Sequence, residues 1–546
     1  MATTGDEDDI FTVVCTEILQ RLMEEDVSRD DVERVKREVC AKHSAPQMPT
    51  NGDLLDYAGT RFREDVRPLL QRKPMRTASG VSPVAIMTSP HMCPHGKCLY
   101  CPGGPASEYS SAQAYTGKEP ASRRAERSQY DPYAQVTRRL TQLQHIGHPV
   151  DKVELIVMGG TMTARSHDYQ EWFVKRALRA MNDYDPTTLP DTDQEQYRPD
   201  ELGFEYTEDI KTNNEHGNVK CIGVTFETKP DWCGREQVDR MLRLGGTKVE
   251  IGVQTTYERI NREMHRGHGT TESHNANHRL RDAGFKVGFH MMPGQPGMSK
   301  EMCLEDFNEL WRNSDWRPDY LKIYPTLITK GTRTYDWWQQ GKFDPLTSEE
   351  AAELVAKIKK DIPKYVRLQR VQRDIPADEI EAGVQKSNLR QLARQRMDDH
   401  GWSCDCIRCR EVGFADETPE NVELDVLTYD SCGGTEHFIS FEDPENDVLI
   451  GFCRLRFPDD TYRPELQDAA IIRELHVYGS EVGVGKTTPD DWQHKGFGQQ
   501  LMNEAERRTA DAGYDKLAVI SGIGARQYYK QKLDYVQDGP YVTKRL

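Results

Sequence analysis

At 546 residues, 29% charged and 36% apolar, the chain is long enough for three or four domains of ~100–200 residues each. No run approaches the ~20 apolar residues of a membrane span, and a net charge of −17 excludes indiscriminate nucleic-acid binding, because phosphates would meet a repulsive average field. The acidic start, Met1–Asp9, is unlike a signal peptide, so a cytoplasmic protein is expected, its 13 cysteines serving as metal ligands or core thiols rather than disulfides.

Residues 1–75 read as helical, with apolar positions at three- and four-residue spacing in Ile10–Met23 and Val32–Val39. From Val84 the pattern changes to short apolar runs separated by helix-length polar stretches: "VAIMT", "VELIVMGG", "CIGVTFET", "KVEIGVQT", "KVGFHMMPG" and "LKIYPTLI". Nearly continuous apolar strands alternating with helices predict an α/β fold, a parallel sheet of right-handed βαβ units. Six units predict a partial or complete (βα)6 barrel, with its active site at the carboxyl ends of the strands. Gly159, Gly160, Glu227, Gln254 and His290 lie at those ends. Asp183–Asp209 is strongly acidic and reads as a solvated insertion, whereas Lys357–Arg396 is net basic. That run is either a solvated helix face or a local polyanion-binding face. After Ala415, "VLIGFCRLRF", "AIIRELHVYG" and "KLAVISGI" read as strands around one helix near Phe497–Ala512, a final α+β domain. "GVGKTT" at Gly483 is rejected as a phosphate loop, because Ser480 stands where the first glycine should be and Pro489 interrupts the helix.

"CPHGKCLYCPGG" places Cys93, Cys98 and Cys101 in a tight loop after the first strand. Thiolates in such spacing hold zinc or an iron–sulfur cluster. Spacing alone leaves the two close to even. A closed zinc site would have only His91 or His95 nearby as a fourth ligand, whereas a 4Fe–4S cluster on three thiolates keeps one iron open. Its place after the first of six parallel strands, with a glycine pair after the second, favours the cluster. Cys404, Cys406 and Cys409 lie instead on a polar linker, where a closed zinc site orders a loop that lacks a core. His400 is the nearest candidate fourth ligand, and a distant residue is as plausible.

These motifs, with "YTGKEPASRRA", "YDPY", "HMMPG", "KIYPT", "VQRDIP", "CIRCREVG" and "RELHVYG", resemble the radical S-adenosylmethionine (SAM) superfamily and, more narrowly, the Elongator catalytic-subunit family with its archaeal tRNA carboxymethyluridine synthases. The resemblance spans Val81 to Leu546, and residues 1–75 match it loosely as a tRNA-binding extension. It implies a 4Fe–4S cluster on Cys93, Cys98 and Cys101, SAM beside Gly159 and Gly160, and zinc on the second triplet. Glu227 and Gln254 sit where SAM-facing residues occur, and Lys229 replaces the arginine common in the family, losing its bidentate fork.

"QHKGFG", Gln493, His494, Lys495, Gly496, Phe497 and Gly498, opens the last helix. After the strand Glu474, Leu475, His476, Val477 it resembles the pyrophosphate loop of GNAT-type acetyltransferases, which cradles acetyl-CoA at a helix N-terminus. Tyr528 and Tyr529 fall where that family's catalytic tyrosines approach the thioester, in a motif one residue longer than usual, so which one does so stays open.

The domains expected are therefore 1–75, helical; 76–385, radical SAM barrel; 386–415, zinc linker; and 416–546, GNAT-type. The function expected is 5-carboxymethyluridine formation at the wobble uridine, by radical SAM chemistry on acetyl-CoA. A protein lysine acetyltransferase with a structural iron–sulfur barrel is the alternative, and a non-catalytic tRNA scaffold leaves both cofactor loops idle. The implied partners are the tRNA anticodon arm, an electron donor and a second copy in a homodimer, without a membrane. Arg390 and Arg394, then Arg123, Arg124 and Arg127, are the candidate tRNA contacts.

Overall fold

The computed structural model describes residues 4–72, 77, 79–185, 207–415, 419–478 and 496–546. The acidic insertion is therefore mostly outside the described residues, as are Gln493, His494, Lys495 and the "GVGKTT" stretch.

Three helices, Thr4–Glu24, Val32–Lys42 and Asn51–Leu70, bury their apolar stripes against one another around Ile18, Val35, Val39, Leu54 and Leu55. They lean on the barrel helix Pro132–His145, where His145 meets Asp56 at 2.7 Å.

The second unit is a sheet of seven parallel strands in sequential order: β1 (Ser82–Met87), β2 (Lys152–Met158), β3 (Lys220–Thr228), β4 (Gly246–Gln254), β5 (Lys286–Met291), β6 (Tyr320–Ile323) and β7 (Arg367–Arg370). Six strands were expected. The seventh, "RLQR", has a single apolar residue and no apolar run to betray it. The strands also alternate more than their composition implied. Val153, Leu155, Val157, Val287, Phe289, Leu321 and Leu368 face outward and are fully buried in the core shared with the helices. Their neighbours Glu154, Lys248, Glu250, His290 and Lys322 turn inward and pair with one another across the lumen.

The last unit is a mixed sheet in the order β13–β14–β12–β11–β10–β9–β8, comprising β8 (Glu423–Ser431), β9 (Gly434–Asp443), β10 (Val448–Phe457), β11 (Ala469–Val477), β12 (Lys516–Val519), β13 (Val536–Asp538) and β14 (Tyr541–Arg545). Only β11 and β12 are parallel, and they pair from Ala469 to Ile472 alone. Beyond Ile472, β11 runs on without its partner, leaving a splay. The helix Phe497–Asp511 covers one face over Leu501, Met502 and Ala505.

This sheet docks under the amino ends of the barrel strands. Gly522 comes so close that an added β-carbon would lie 1.9 Å from the Ile222 carbonyl oxygen. Arg473 donates to the Phe285 carbonyl at 2.9 Å and to Asp319 at 2.7 Å, and Tyr541 donates to the Ala283 carbonyl at 2.9 Å. Arg281, Arg454, Arg456, Asp282, Glu436 and Glu474 complete a buried ionic network across the junction. Burial alone would raise the Asp319 carboxyl, but the guanidinium groups of Arg281, Arg473 and Arg454 hold it far below the usual carboxylate range. Such a network fixes one geometry, because any member left alone would be an uncompensated buried charge.

Candidate functional site: two ends of one barrel

The loop after β1 lies at the carboxyl end of the sheet and carries the first cysteine triplet. Cys98 and Cys101 are buried and Cys93 is half-buried. Cys98 accepts from the Arg266 guanidinium at 3.4 Å and lies 3.3 Å from His95 Nε2, while Cys93 lies 3.4 Å from the Thr161 hydroxyl. A hydrogen bond from Cys101 pulls the Cys98 thiol below its ordinary range despite burial, and Arg266 helps. The same contact with Cys98 raises Cys101, and burial raises Cys93, so Cys98 is the one thiol of the three held toward the thiolate.

The strand ends beside the triplet are shaped for a ligand. Gly159 adopts φ 125°, and a β-carbon there would strike the Thr88 hydroxyl at 2.1 Å. Gly160 faces the triplet: its β-carbon would lie 4.0 Å from Cys93 Sγ. Gln254 holds a left-handed φ of 71°, rare for a residue with a side chain, and its buried Oε1 has no hydrogen-bond donor among the described residues. A strained residue presenting an orphaned acceptor fits a bound group with an ammonium or hydroxyl to donate. Glu227 lies near the carboxyl end of β3. It accepts from the Tyr115 hydroxyl at 3.1 Å and pairs with Lys322 at 3.1 Å, inside the lumen. Lys229 lies 2.9 Å from His95 Nδ1 and 3.1 Å from Asp231, so it supports the cysteine loop through His95.

Below the mouth, Glu227, Glu250 and His290 bring ligand atoms within 4.8 Å of one another. Their centre already holds a cation, the Lys322 ammonium, bonded to both carboxylates. Glu250 also accepts from His290 at 3.0 Å and lies 3.6 Å from Lys248, which pairs with Glu154 at 2.7 Å. Lys322, Glu250 and Lys248 were not singled out from sequence. Their signal was there, in charges two positions apart in "KVEIG" and a lone lysine inside the apolar "LKIY".

At the opposite end, a bulge at Arg454/Leu455 lets Arg473 and Glu474 both turn toward the barrel. Leu475 and Val477 pack into the core of the last sheet, while Glu474 accepts from Tyr320 of β6 and His476 packs against Tyr478 with the rings tilted. Burial pushes His476 down to about 4, opposed by Glu474 and aided by Arg367 and Lys286. Gly496 caps the helix Phe497–Asp511 in a left-handed conformation, φ 79°, and Phe497 packs on Phe441. A β-carbon on Gly498 would lie 3.2 Å from the Tyr528 hydroxyl and 3.8 Å from Val477. Tyr528 thus faces the helix start and the splay. Tyr529 is buried against Tyr535 and the sheet core.

Cys404, Cys406 and Cys409 form a tighter triplet, their sulfurs within 4.8 Å of one another. Hydrogen bonds from Cys404 and Cys406 hold the Cys409 thiol down at about 2, with Lys359 and Arg390 adding to the effect. His400 does not join them. It stacks on Trp402 and faces Glu353 at 3.6 Å. It lies at the end of the helix Leu389–His400, ahead of the short turn that carries the thiols, and no fourth cysteine, histidine or carboxylate joins the group among the described residues.

The basic candidates divide. Arg390 donates to the Leu368 and Gln369 carbonyls at 3.1 and 3.0 Å, and burial lowers it to about 10, so it ties the linker to β7. Arg394 is exposed on the same helix. On the helix Pro120–Arg127, Arg123 and Arg127 are exposed and Arg124 is half-buried.

Family profiles match along the chain: the ELP3 N-terminal domain at 11–78, the radical SAM superfamily at 87–310, the radical SAM C-terminal domain at 318–399 and the acetyltransferase (GNAT) family at 406–535. The chain is 42% identical over 545 residues to a tRNA uridine(34) acetyltransferase of Methanocaldococcus jannaschii, covering 97% of each chain. It is 40% identical over 553 residues to Elongator complex protein 3 of Homo sapiens, covering 98% of each. The structure of Methanocaldococcus infernus Elp3 with an N-terminal deletion superposes with a TM-score of 0.73 at 40% identity, covering 86% of this chain and all of that one. No helix among the described residues is long and apolar enough to cross a membrane. With a thiol-bearing barrel and an acyltransferase sheet on one chain, and relatives matching nearly end to end, the protein belongs to the Elongator complex protein 3/tRNA uridine(34) acetyltransferase family.

Proposed function

We propose that this chain builds a carboxymethyl group on carbon 5 of the wobble uridine of a tRNA, drawing the two carbons from acetyl-CoA. The observation that carries this reading is the docking of an acyl-CoA-type sheet beneath a barrel whose other end bears Cys93, Cys98 and Cys101 on one loop beside Gly160 and Gln254. Cys93, Cys98 and Cys101 would hold a 4Fe–4S cluster, Gly159, Gly160 and Gln254 would seat SAM, and Cys404, Cys406 and Cys409 would hold a structural zinc. When bound, the cluster and SAM would supply one-electron chemistry able to take a hydrogen atom from the acetyl methyl. Joining that carbon to carbon 5 would require loss of the carbon 5 hydrogen with one electron, and hydrolysis of the thioester would release coenzyme A and leave the carboxylate. A hydrogen bond from Cys101, with Arg266 helping, favours the thiolate of Cys98. Gly496 and Gly498 leave backbone N–H groups open to a pyrophosphate, and Tyr528 offers a hydroxyl at the splay. The partners are tRNA, acetyl-CoA and an electron donor, in a cytoplasmic setting.

Acetyl-CoA with a deuterated methyl, SAM, reductant and tRNA, mixed anaerobically, should place deuterium in 5′-deoxyadenosine and a carboxymethyl group on the tRNA. Efficient acetylation of protein lysines without SAM, with tRNA unchanged under verified cluster reduction, would give the acetyltransferase reading instead.

A further inference from the structure

We infer that Lys229 and His95 form a positioning relay at the first thiol site: Lys229 fixes the ring proton of His95 on Nε2, and His95 donates it to Cys98, tuning the reduction potential of a cluster held there. The inference rests on the cluster proposed above and adds the residues that set its potential.

The donors to the triplet are unevenly shared. Cys93 meets one hydroxyl, that of Thr161 at 3.4 Å, whereas Cys98 faces two nitrogen donors, Arg266 at 3.4 Å and His95 Nε2 at 3.3 Å. Both donors are held in place. Arg266 spends its other terminal nitrogen on the Gly252 carbonyl of β4 at 2.6 Å. The segment leading to Arg266 is tied to the cysteine loop, where the Leu99 N–H donates to the Met264 carbonyl at 3.2 Å. The next residue, Gly267, has a left-handed φ of 70° and lies against His95. A β-carbon there would stand 2.4 Å from His95 Cβ and 2.7 Å from its Cγ. One short segment therefore supplies the first donor and leaves room for the second.

What His95 can do depends on where its proton sits. Lys229 Nζ lies 2.9 Å from His95 Nδ1 and 3.1 Å from the Asp231 carboxylate. Lys229 is buried, and a buried ammonium is kept only where it is paired. An ammonium has three donors and no acceptor. Nδ1 must therefore accept, which leaves the ring proton on Nε2, the atom facing Cys98. A protonated Nε2 has no lone pair to offer a metal, so His95 is a donor to the sulfur and not a fourth ligand. The three-thiol set stays open.

The consequence is electronic. A thiolate that accepts N–H bonds carries added negative charge more readily, and hydrogen bonds to the sulfurs are among the levers that set cluster potentials. The relay thus favours the reduced state. Arginine, like lysine, only donates, which makes Lys229→Arg the conservative control.

The test uses the full chain with its cluster reconstituted anaerobically, titrated with reductant in the absence of SAM and followed by electron paramagnetic resonance. His95→Leu should lower the ratio of reduced to oxidised cluster at a fixed potential by about tenfold, the size of one charge-assisted hydrogen bond. For one electron that is a shift of ~59 mV. Lys229→Met should lower the ratio by about threefold, through partial loss of the same bond, and Lys229→Arg should restore it. An unchanged ratio in His95→Leu would overturn the relay, as would a Lys229→Arg protein that behaves like Lys229→Met. A second readout holds even if His95→Leu takes up no iron. With histidine carrying heavy nitrogen, pulsed resonance of the reduced, unaltered protein should show a histidine nitrogen coupling that weakens in Lys229→Met and persists in Lys229→Arg. No such coupling, or one undiminished in Lys229→Met, would overturn the relay. Failure of the unaltered protein to take up any cluster would overturn the proposed function and the relay together, whereas a cluster indifferent to His95 overturns the relay alone.

Discussion

The two cysteine triplets have the same number of thiols and different surroundings, and the difference separates the two roles proposed for them. Around Cys93, Cys98 and Cys101 the chain is unfinished: a strained Gln254 with an orphaned acceptor, and a glycine facing Cys93. Around Cys404, Cys406 and Cys409 the sulfurs close on one another, and the cations Lys359 and Arg390 back them. Three thiols alone say little. The acceptor left unpaired on Gln254 is what favours the proposed open site at the first triplet over the proposed staple at the second.

The strongest break in this comparison is Cys101→Ala. It should remove iron and abolish both deuterium transfer and tRNA product, while zinc measured by metal analysis stays at the unaltered level. Cys406→Ala should do the reverse for metal content, leaving iron in place. Loss of both metals from either variant with circular dichroism unchanged would contradict two separate sites.

Next in size is the junction that holds the acyl-CoA-type sheet to the barrel. Asp319→Ala leaves Arg281, Arg454 and Arg473 buried with too few partners, and should cost about 3–5 kcal/mol in denaturant unfolding. Both triplets should keep their metals in the folded fraction. A change under about 1 kcal/mol would mean the network is not the clamp described above.

The same junction sets an acid limit. Burial would raise Asp282 and Glu436, but their arginine partners, with His278 for Asp282, overcome it and hold both below their ordinary values. Depressed folded values mean that their stability is complete above about pH 4 and is lost as pH falls through those values. Asp306 has the opposite sign: burial raises it to about 6, so its contribution is present in acid and lost as pH rises through that value. Urea midpoints should therefore fall steeply below about pH 4, with a shallow loss between about pH 4 and 6 that Asp306→Asn removes.

How much of this was legible in sequence follows from how far each feature depends on neighbours in the chain. The barrel, the terminal sheet and both triplets announced themselves through apolar runs and cysteine spacing. β7 did not, because "RLQR" owes its strand to pairing with β6 rather than to its own residues. His400 was the nearest candidate fourth ligand in sequence, yet it stacks on Trp402, because closeness in sequence says nothing about which face a helix presents. The lumen ladder is assembled from β2, β3, β4 and β6, and only the sheet order brings Lys322 between Glu227 and Glu250. Tyr528 and Tyr529 are adjacent in sequence, and the turn of one helix sends the first to the splay and the second into the core.

The smallest effect sharpens the comparison at the linker, where the second triplet sits beside the basic helix Leu389–His400. Arg390 and Arg394 read alike in sequence, yet the structure assigns them different work. Arg390 spends its guanidinium on the carbonyls of Leu368 and Gln369, so reversing its charge would disturb β7 and the linker together. Arg394 is exposed on that helix and can meet a phosphate without that structural cost. Arg394→Glu should therefore leave zinc content and thermal stability unchanged. It should weaken tRNA binding and lower the slope of log affinity against log salt by about one, as expected when one fewer phosphate is neutralised. An unchanged slope would make the helix a solvated face and move the expectation to Arg123→Glu on the helix Pro120–Arg127, read by the same salt titration.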